Sequence, residues 1–197
     1  MITSVIPLSL KISYTLFVCF LVPIYWRHYG PANFLWFSDI ALLLAVPALW
    51  LESSLLASMM ALAVTIPELG WNVEFFVRLS TGKRLMGLSA YMFDRSIPRF
   101  LRALSLFHVG LPLLLLWMVY RLGYDRRALI AQIVIMLIVL PLSYFFSDAR
   151  TNINWVHGIG ATPKTGTPGP RFLIFSLLLF PLAFYLPTHF VLEKFFA

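Results

Sequence analysis

The stretch Ala128-Leu-Ile-Ala-Gln-Ile-Val-Ile-Met-Leu-Ile-Val-Leu-Pro-Leu-Ser-Tyr-Phe-Phe146 carries no charged residue and decides the fold class. A hydrocarbon layer about 30 Å thick takes about 20 mostly apolar residues of helix to cross. Inside it, only a helix or a closed barrel satisfies every backbone hydrogen bond. Five further runs of the same character flank this one, at residues 5–26, 34–51, 53–77, 97–120 and 172–192. The sequence therefore predicts an all-α polytopic membrane protein, a single bundle of about six transmembrane helices over residues 1–197.

Composition agrees. The 197 residues are 60% hydrophobic and 12% charged, with mean hydropathy +0.86. A soluble domain needs about 25% charged residues to cover its surface. No hydrophilic stretch is long enough for a second domain. The net charge of +7 is not a nucleic-acid footprint, because Lys and Arg sit in short loops beside apolar runs, where they set topology and meet anionic lipid. Membrane lipids are the expected partners; protein partners or a homo-oligomer are compatible, and nucleic acid is not expected. The single Cys19 excludes disulfides within the chain and a Cys-rich metal site, and reads as a small packing residue. Residues 1–6 lack a basic segment and no small-x-small pattern follows, so the first run reads as a retained anchor.

Ten Lys and Arg fall in the loops after spans one, three and five or in the adjoining span ends, against five on the other side. That bias predicts a cytoplasmic ten-charge side and both termini on the non-cytoplasmic side, and the composition of the chain suits a bacterial inner membrane. Glu52-Ser53-Ser54 leaves room only for a tight hairpin. The long connections are 78–96, whose stretch 85–93 reads as an interfacial helix or an ordinary loop, and 147–171, whose stretch 165–170 (Thr-Gly-Thr-Pro-Gly-Pro) reads as a flexible linker. Trp26, Trp36, Trp50, Trp71, Tyr120, Tyr124 and Tyr144 read as interfacial belt anchors, and His28, His157 and His189 as interfacial polar residues. Prolines 23, 47, 67, 112, 141 and 181 each free a backbone carbonyl that a neighbour must satisfy.

Ionisable side chains inside spans cost several kcal/mol and mark protein interiors or cavities. At 1.5 Å per residue, Ser38 and Asp39 lie about 6–8 Å below the ten-charge surface, Glu68 about 13 Å and His108 about 15 Å. Asn72 lies a turn nearer the surface than Glu68, on the same helix face, and Glu74 lies near the surface. Asp148, Asn152, Asn154, Trp155 and His157 begin the last loop on that side. The expectation is one polar hollow on the ten-charge side, with the opposite half of the spans almost wholly apolar. A buried network that merely fixes helix register is the simplest use of Asp39, Glu68 and His108; catalysis and metal binding are the others.

The run Phe34-Leu-Trp-Phe-Ser38-Asp39-Ile-Ala41 resembles the second span of bacterial YwaF-like membrane proteins and a related eukaryotic transmembrane acyltransferase, which carry a Leu-x-Leu-Cys-Asp type motif there. Leu35 and Asp39 match it, and Ser38 stands where the family has cysteine. Asp94 through Pro98, then Ser105-Leu-Phe-His108 with Leu111-Pro112, is similar to the family's fourth span and its histidine. Thr151-Asn-Ile-Asn154-Trp155-Val-His-Gly158 is similar to its Asn- and Gly-rich segment. The androgen-induced intramembrane threonine hydrolases belong to the same superfamily.

This resemblance implies ester hydrolysis or acyl transfer on a lipid. Ser38 would attack the acyl carbonyl after His108 takes its proton. Glu68, or less directly Asp39, would orient the imidazole. Asn72, Asn152, Asn154, Trp155 or the backbone near Gly158 would contact substrate or the oxyanion. No cofactor is implied. An alternative uses His108, Glu68 and Asp39 as zinc or iron ligands, without the support of a His-x-x-x-His or Glu-x-x-His spacing. A further alternative is non-enzymatic: a scaffold, an accessory subunit, or a lipid-binding or transport module.

Overall fold

The computed structural model describes residues 5–158 and 170–197, and the described part contains helices and no strands. Helix α1 (Leu8–Tyr29) is followed by a 3-10 turn (Pro31–Leu35) and α2 (Phe37–Trp50). Then come α3 (Ser54–Thr81), a 3-10 turn (Ala90–Phe93), α4 (Arg99–Leu104) and α5 (Phe107–Leu122). Helix α6 (Ala128–Phe146) leads to a short turn (Ile153–Trp155). The last span runs through α7 (Arg171–Leu179), a π-turn (Phe180–Tyr185) and α8 (Leu186–Phe196). Five of these helical segments, with α4–α5 and α7–α8 each counted as one, are long and apolar enough to cross a bilayer, and α2 is a shorter apolar helix. The protein is an integral membrane protein. Helix α2 has 14 residues, about 21 Å of rise, so the 3-10 turn before it makes up part of the crossing. Most of the stretch 165–170 lies outside the described residues; Pro170 precedes α7.

Helix α3 is the axis of the bundle, packing on α2, α5 and α6. The α2–α3 seam is built from small residues: Ala41, Ala45 and Ala48 on α2 and Ala57 and Ala61 on α3 are all buried. Alanine lets two backbones approach closely, the packing that replaces hydrophobic driving force where the solvent is itself apolar. The outer faces carry Leu16, Ile130, Leu137, Phe145 and Leu182 toward lipid. Cys19 is also exposed there, so it is a lipid-facing residue and not a packing one.

Val5 and Phe196, near the two ends of the described chain, lie on one face. The Tyr124 N–H donates to the Phe196 carbonyl at 2.9 Å. Glu52, at the α2–α3 hairpin, accepts from the Val5 and Ile6 N–H groups and from Lys11 Nζ at 2.9–3.1 Å. Glu52 adopts φ 48°, a left-handed conformation that costs about 1 kcal/mol for an L-residue, and these three bonds offset it. Ser53 caps α3, its Oγ accepting from the Leu56 N–H. At the opposite face α3 ends at Gly82, whose φ of 73° only glycine adopts freely.

The terminal half of the bundle is more polar than the sequence suggested. Lys11, Ser58, Gln132 and Thr188 are buried there. Ser58 Oγ accepts from the Asp125 N–H, and Gln132 Nε2 donates to Tyr185 Oη. Each of these is a local pair, which hydropathy along the chain does not register. The polar network of several elements lies at the other face.

Candidate functional site

The site forms where the start of α5 meets the lower half of α3. Glu68 and Asn72 sit one turn apart on α3, and both face α5. The Glu68 carboxylate meets His108 Nδ1 with both oxygens at 2.9 Å. Its side chain is 5% exposed and that of His108 15%. Asn72 Nδ2 donates to the Glu68 carbonyl and to the His108 carbonyl, each at 2.8 Å. The His108 ring is flanked by Trp71 (centroids 4.8 Å apart, 25° between planes) and by Phe107 (4.1 Å, 27°). With Nδ1 held by the carboxylate, Nε2 is the free nitrogen of the imidazole, and no described residue hydrogen-bonds it.

Asp39, in the first turn of α2, is buried and lies within electrostatic range of both His108 and Glu68. One oxygen accepts from Asn33 Nδ2 at 3.3 Å; the other is buried without a hydrogen-bond partner among the described residues. Three acidic or basic side chains from three helices thus share one region, as their depths predicted. Ser38 is half-buried, and its hydroxyl makes no hydrogen bond among the described residues. In particular, none joins it to His108.

The other expected contacts stand elsewhere. Asn154 Nδ2 donates to the Leu35 carbonyl and to Ser143 Oγ, and its Oδ1 accepts from the Phe37 N–H at 3.1 Å. It therefore caps the first N–H of α2 from another segment, in place of a local capping side chain. Asn152 ties its own loop, donating to the Gly158 carbonyl and accepting from the His157 N–H. Asn152, Asn154 and Trp155 all have φ near 50°, and Trp155 is half-buried beside them. The amide hydrogens of Asn72 are spent on backbone carbonyls.

Several residues join the network that the sequence did not single out for it. Tyr25 Oη and Ser105 Oγ share a 2.6 Å hydrogen bond at the break between α4 and α5, one turn before His108, and Tyr25 is in electrostatic range of Asp39. Trp71 is buried against His108 and is not a belt anchor. Tyr124 is likewise buried, bonded to His189 Nδ1 at 2.6 Å. His157 is buried and stacked on Tyr144 at 4.8 Å, so it is not an interfacial residue. Residues 85–89 are a loop tethered by Glu74, which accepts from the N–H groups of Met86, Gly87 and Leu88 at 2.7–3.2 Å. An acid four residues before a helix-ending Arg-Leu-Ser-Thr carries no local sign of such a role.

Among the described residues no group of three or more His, Cys, Asp and Glu side chains is arranged to hold a metal ion. Comparison with protein-family models, with characterised proteins and with solved structures gives no match to this chain. The reading of the site therefore rests on its geometry.

Proposed function

We propose that this protein is an intramembrane lipid ester hydrolase or acyltransferase that uses His108 as its base, Glu68 as the group orienting that base, and Ser38 as the nucleophile. The Glu68–His108 contact carries the reading. A carboxylate on Nδ1 fixes the tautomer that leaves Nε2 free to accept a proton, and it stabilises the imidazolium that forms. The Ser38 hydroxyl is uncommitted, one residue before the buried Asp39. Ser38 Oγ attacks the acyl carbonyl as His108 Nε2 takes its proton; the same proton then goes to the departing alcohol. The acyl-serine ester is resolved by water in hydrolysis, or by an acceptor hydroxyl in transfer. Since no hydrogen bond joins Ser38 to His108, their approach on substrate binding is part of the proposal. The surroundings are apolar, which favours a lipid substrate. The likeness of the α2 and α5 segments to YwaF-like proteins and the transmembrane acyltransferases points the same way.

The test is labelling by a lipophilic fluorophosphonate in reconstituted vesicles, with peptide mapping. Adduct on Ser38, lost in Ser38→Ala and His108→Gln variants that melt as the parent does, supports the reading. Unchanged ester turnover in Ser38→Ala overturns it.

The ten-to-five distribution of Lys and Arg supports a site face in the cytoplasm and termini outside, as in a bacterial inner membrane. Single cysteines at Lys83 and Lys194 in a Cys19→Ser background test this: an impermeant maleimide should reach only position 194 in intact cells.

A further inference from the structure

Beside the catalytic region, the connection between α3 and α5 forms an open cavity of about 640 Å³ lined by Phe93, Arg95, Ile97, Pro98, Arg99 and Arg102. Three guanidinium groups line this one hollow. None of the three makes an ion pair among the described residues. The nearby carboxylate, Asp94, accepts from the Ser96 N–H and Oγ, each at 2.8 Å. It lies in electrostatic range of Arg102 without forming an ion pair with it, which leaves Arg95 and Arg99 without an anionic partner among the described residues. Arg102 is itself held in place, one Nη donating to the Met92 carbonyl at 3.0 Å, while its Nε is buried and has no acceptor among the described residues. Arg95 and Arg99 are exposed, and an anion in the cavity is the partner their guanidinium groups can take. Phe100 and Leu106, exposed on the same segment, set the cavity at the lipid boundary, where headgroups lie.

We infer that this three-arginine cavity binds a phosphomonoester group, presented by the headgroup of an anionic membrane lipid. Guanidinium forks match the oxygens of phosphate in paired hydrogen bonds. A terminal phosphate offers more unshared oxygens and more charge than a phosphodiester. The inference does not depend on Ser38 or on any catalytic activity.

The test measures binding of short-chain phosphatidic acid to the detergent-purified full chain by native mass spectrometry and calorimetry, against phosphatidylglycerol, phosphatidylcholine and inorganic phosphate. The expected order is phosphatidic acid tightest, phosphatidylglycerol weaker and phosphatidylcholine weakest. Arg95→Gln/Arg99→Gln, at two exposed positions, should weaken phosphatidic acid about 25-fold, or about fivefold for each charge near the surface. Lys83→Gln/Arg84→Gln, which removes the same charge from the same face outside the cavity, should leave it within about twofold. Arg102→Lys keeps charge and loses the fork, and it should weaken binding while the protein still melts as the parent does. Equal loss in the two double variants, or equal affinity for the diester, overturns the inference. Inorganic phosphate binding as tightly as the lipid overturns the lipid as the source.

Discussion

The Asn72 amide donates to the His108 carbonyl at 2.8 Å, and that carbonyl is the one Pro112 leaves without a helical donor. In a regular helix the N–H of residue 112 would bond the carbonyl of residue 108; proline has no N–H to give. Asn72 therefore supplies the donor that Pro112 withholds, at the backbone of the same His108 whose ring meets Glu68. Replacing Asn72 with Ala should cost about 1–3 kcal/mol, the penalty for a buried carbonyl left unpaired. Pro112→Ala restores the local donor, so the cost of Asn72→Ala in that background should fall to a fraction of its value. A double-mutant cycle by thermal or denaturant unfolding in micelles measures the coupling. Equal costs in both backgrounds would show that Asn72 does something else.

The Glu68–His108 pair holds α3 against α5 and, in the proposed mechanism, also serves the chemistry; the two roles are separable. Glu68→Ala strands the imidazole among Trp71 and Phe107 and should destabilise by about 3 kcal/mol, the range for removing one partner of a buried pair. Glu68→Leu/His108→Leu removes both polar groups and should regain most of that stability, while the proposed mechanism requires it to abolish ester turnover. Unfolding midpoints and turnover measured on the same preparations distinguish the roles. A double variant that stays active removes the pair from the mechanism.

Glu74 is buried with three backbone N–H groups on its carboxylate, so it anchors the loop leading toward the arginine cavity. Hydrogen bonds to a charged group contribute about 1.5–3 kcal/mol each at most, and they are not additive. Glu74→Gln keeps the shape but cannot accept three bonds with the same strength. Amide exchange at Met86, Gly87 and Leu88 should accelerate at least tenfold, with exchange in α3 above Glu68 unchanged. A global acceleration would mean the anchor supports the bundle and not the loop alone.

How much of this was legible in the chain follows from what kind of signal each feature leaves. Mostly apolar runs near 20 residues report spans directly, and all six fall on helical segments within a few residues; Ala128–Phe146 coincides at both ends. Depth along a helix is also readable, because rise per residue is constant, and it put Asp39, Glu68 and His108 at related levels. Rotation and partner choice are not readable. Nothing local tells that Asn154 caps α2 across the loop, that Trp71 turns inward, or that Glu74 collects three N–H groups. Those pairings join residues from 12 to 117 positions apart, and only packing selects them. The polar pairs of the terminal half escaped for a related reason: a single Gln132 or Ser58 hardly lowers the hydropathy of its span.

His157 gives the fold a pH dependence whose sign is fixed. Burial disfavours the charged ring and holds its pKa below the usual histidine value of 6.5, with the Ser147 backbone and Asp148 offsetting part of that effect. Between the folded-state value and about 6.5 the unfolded chain binds a proton that the folded chain refuses. The contribution of neutral His157 is therefore complete above pH 6.5 and is lost progressively as pH falls below it, levelling once the folded-state value is passed. Unfolding midpoints measured from pH 7.5 to 5 should fall in that window, and His157→Phe, which keeps the stack on Tyr144, should flatten the curve there. A variant with the same slope as the parent would assign the dependence to another group, and one with a steeper slope would reverse the sign argued for His157.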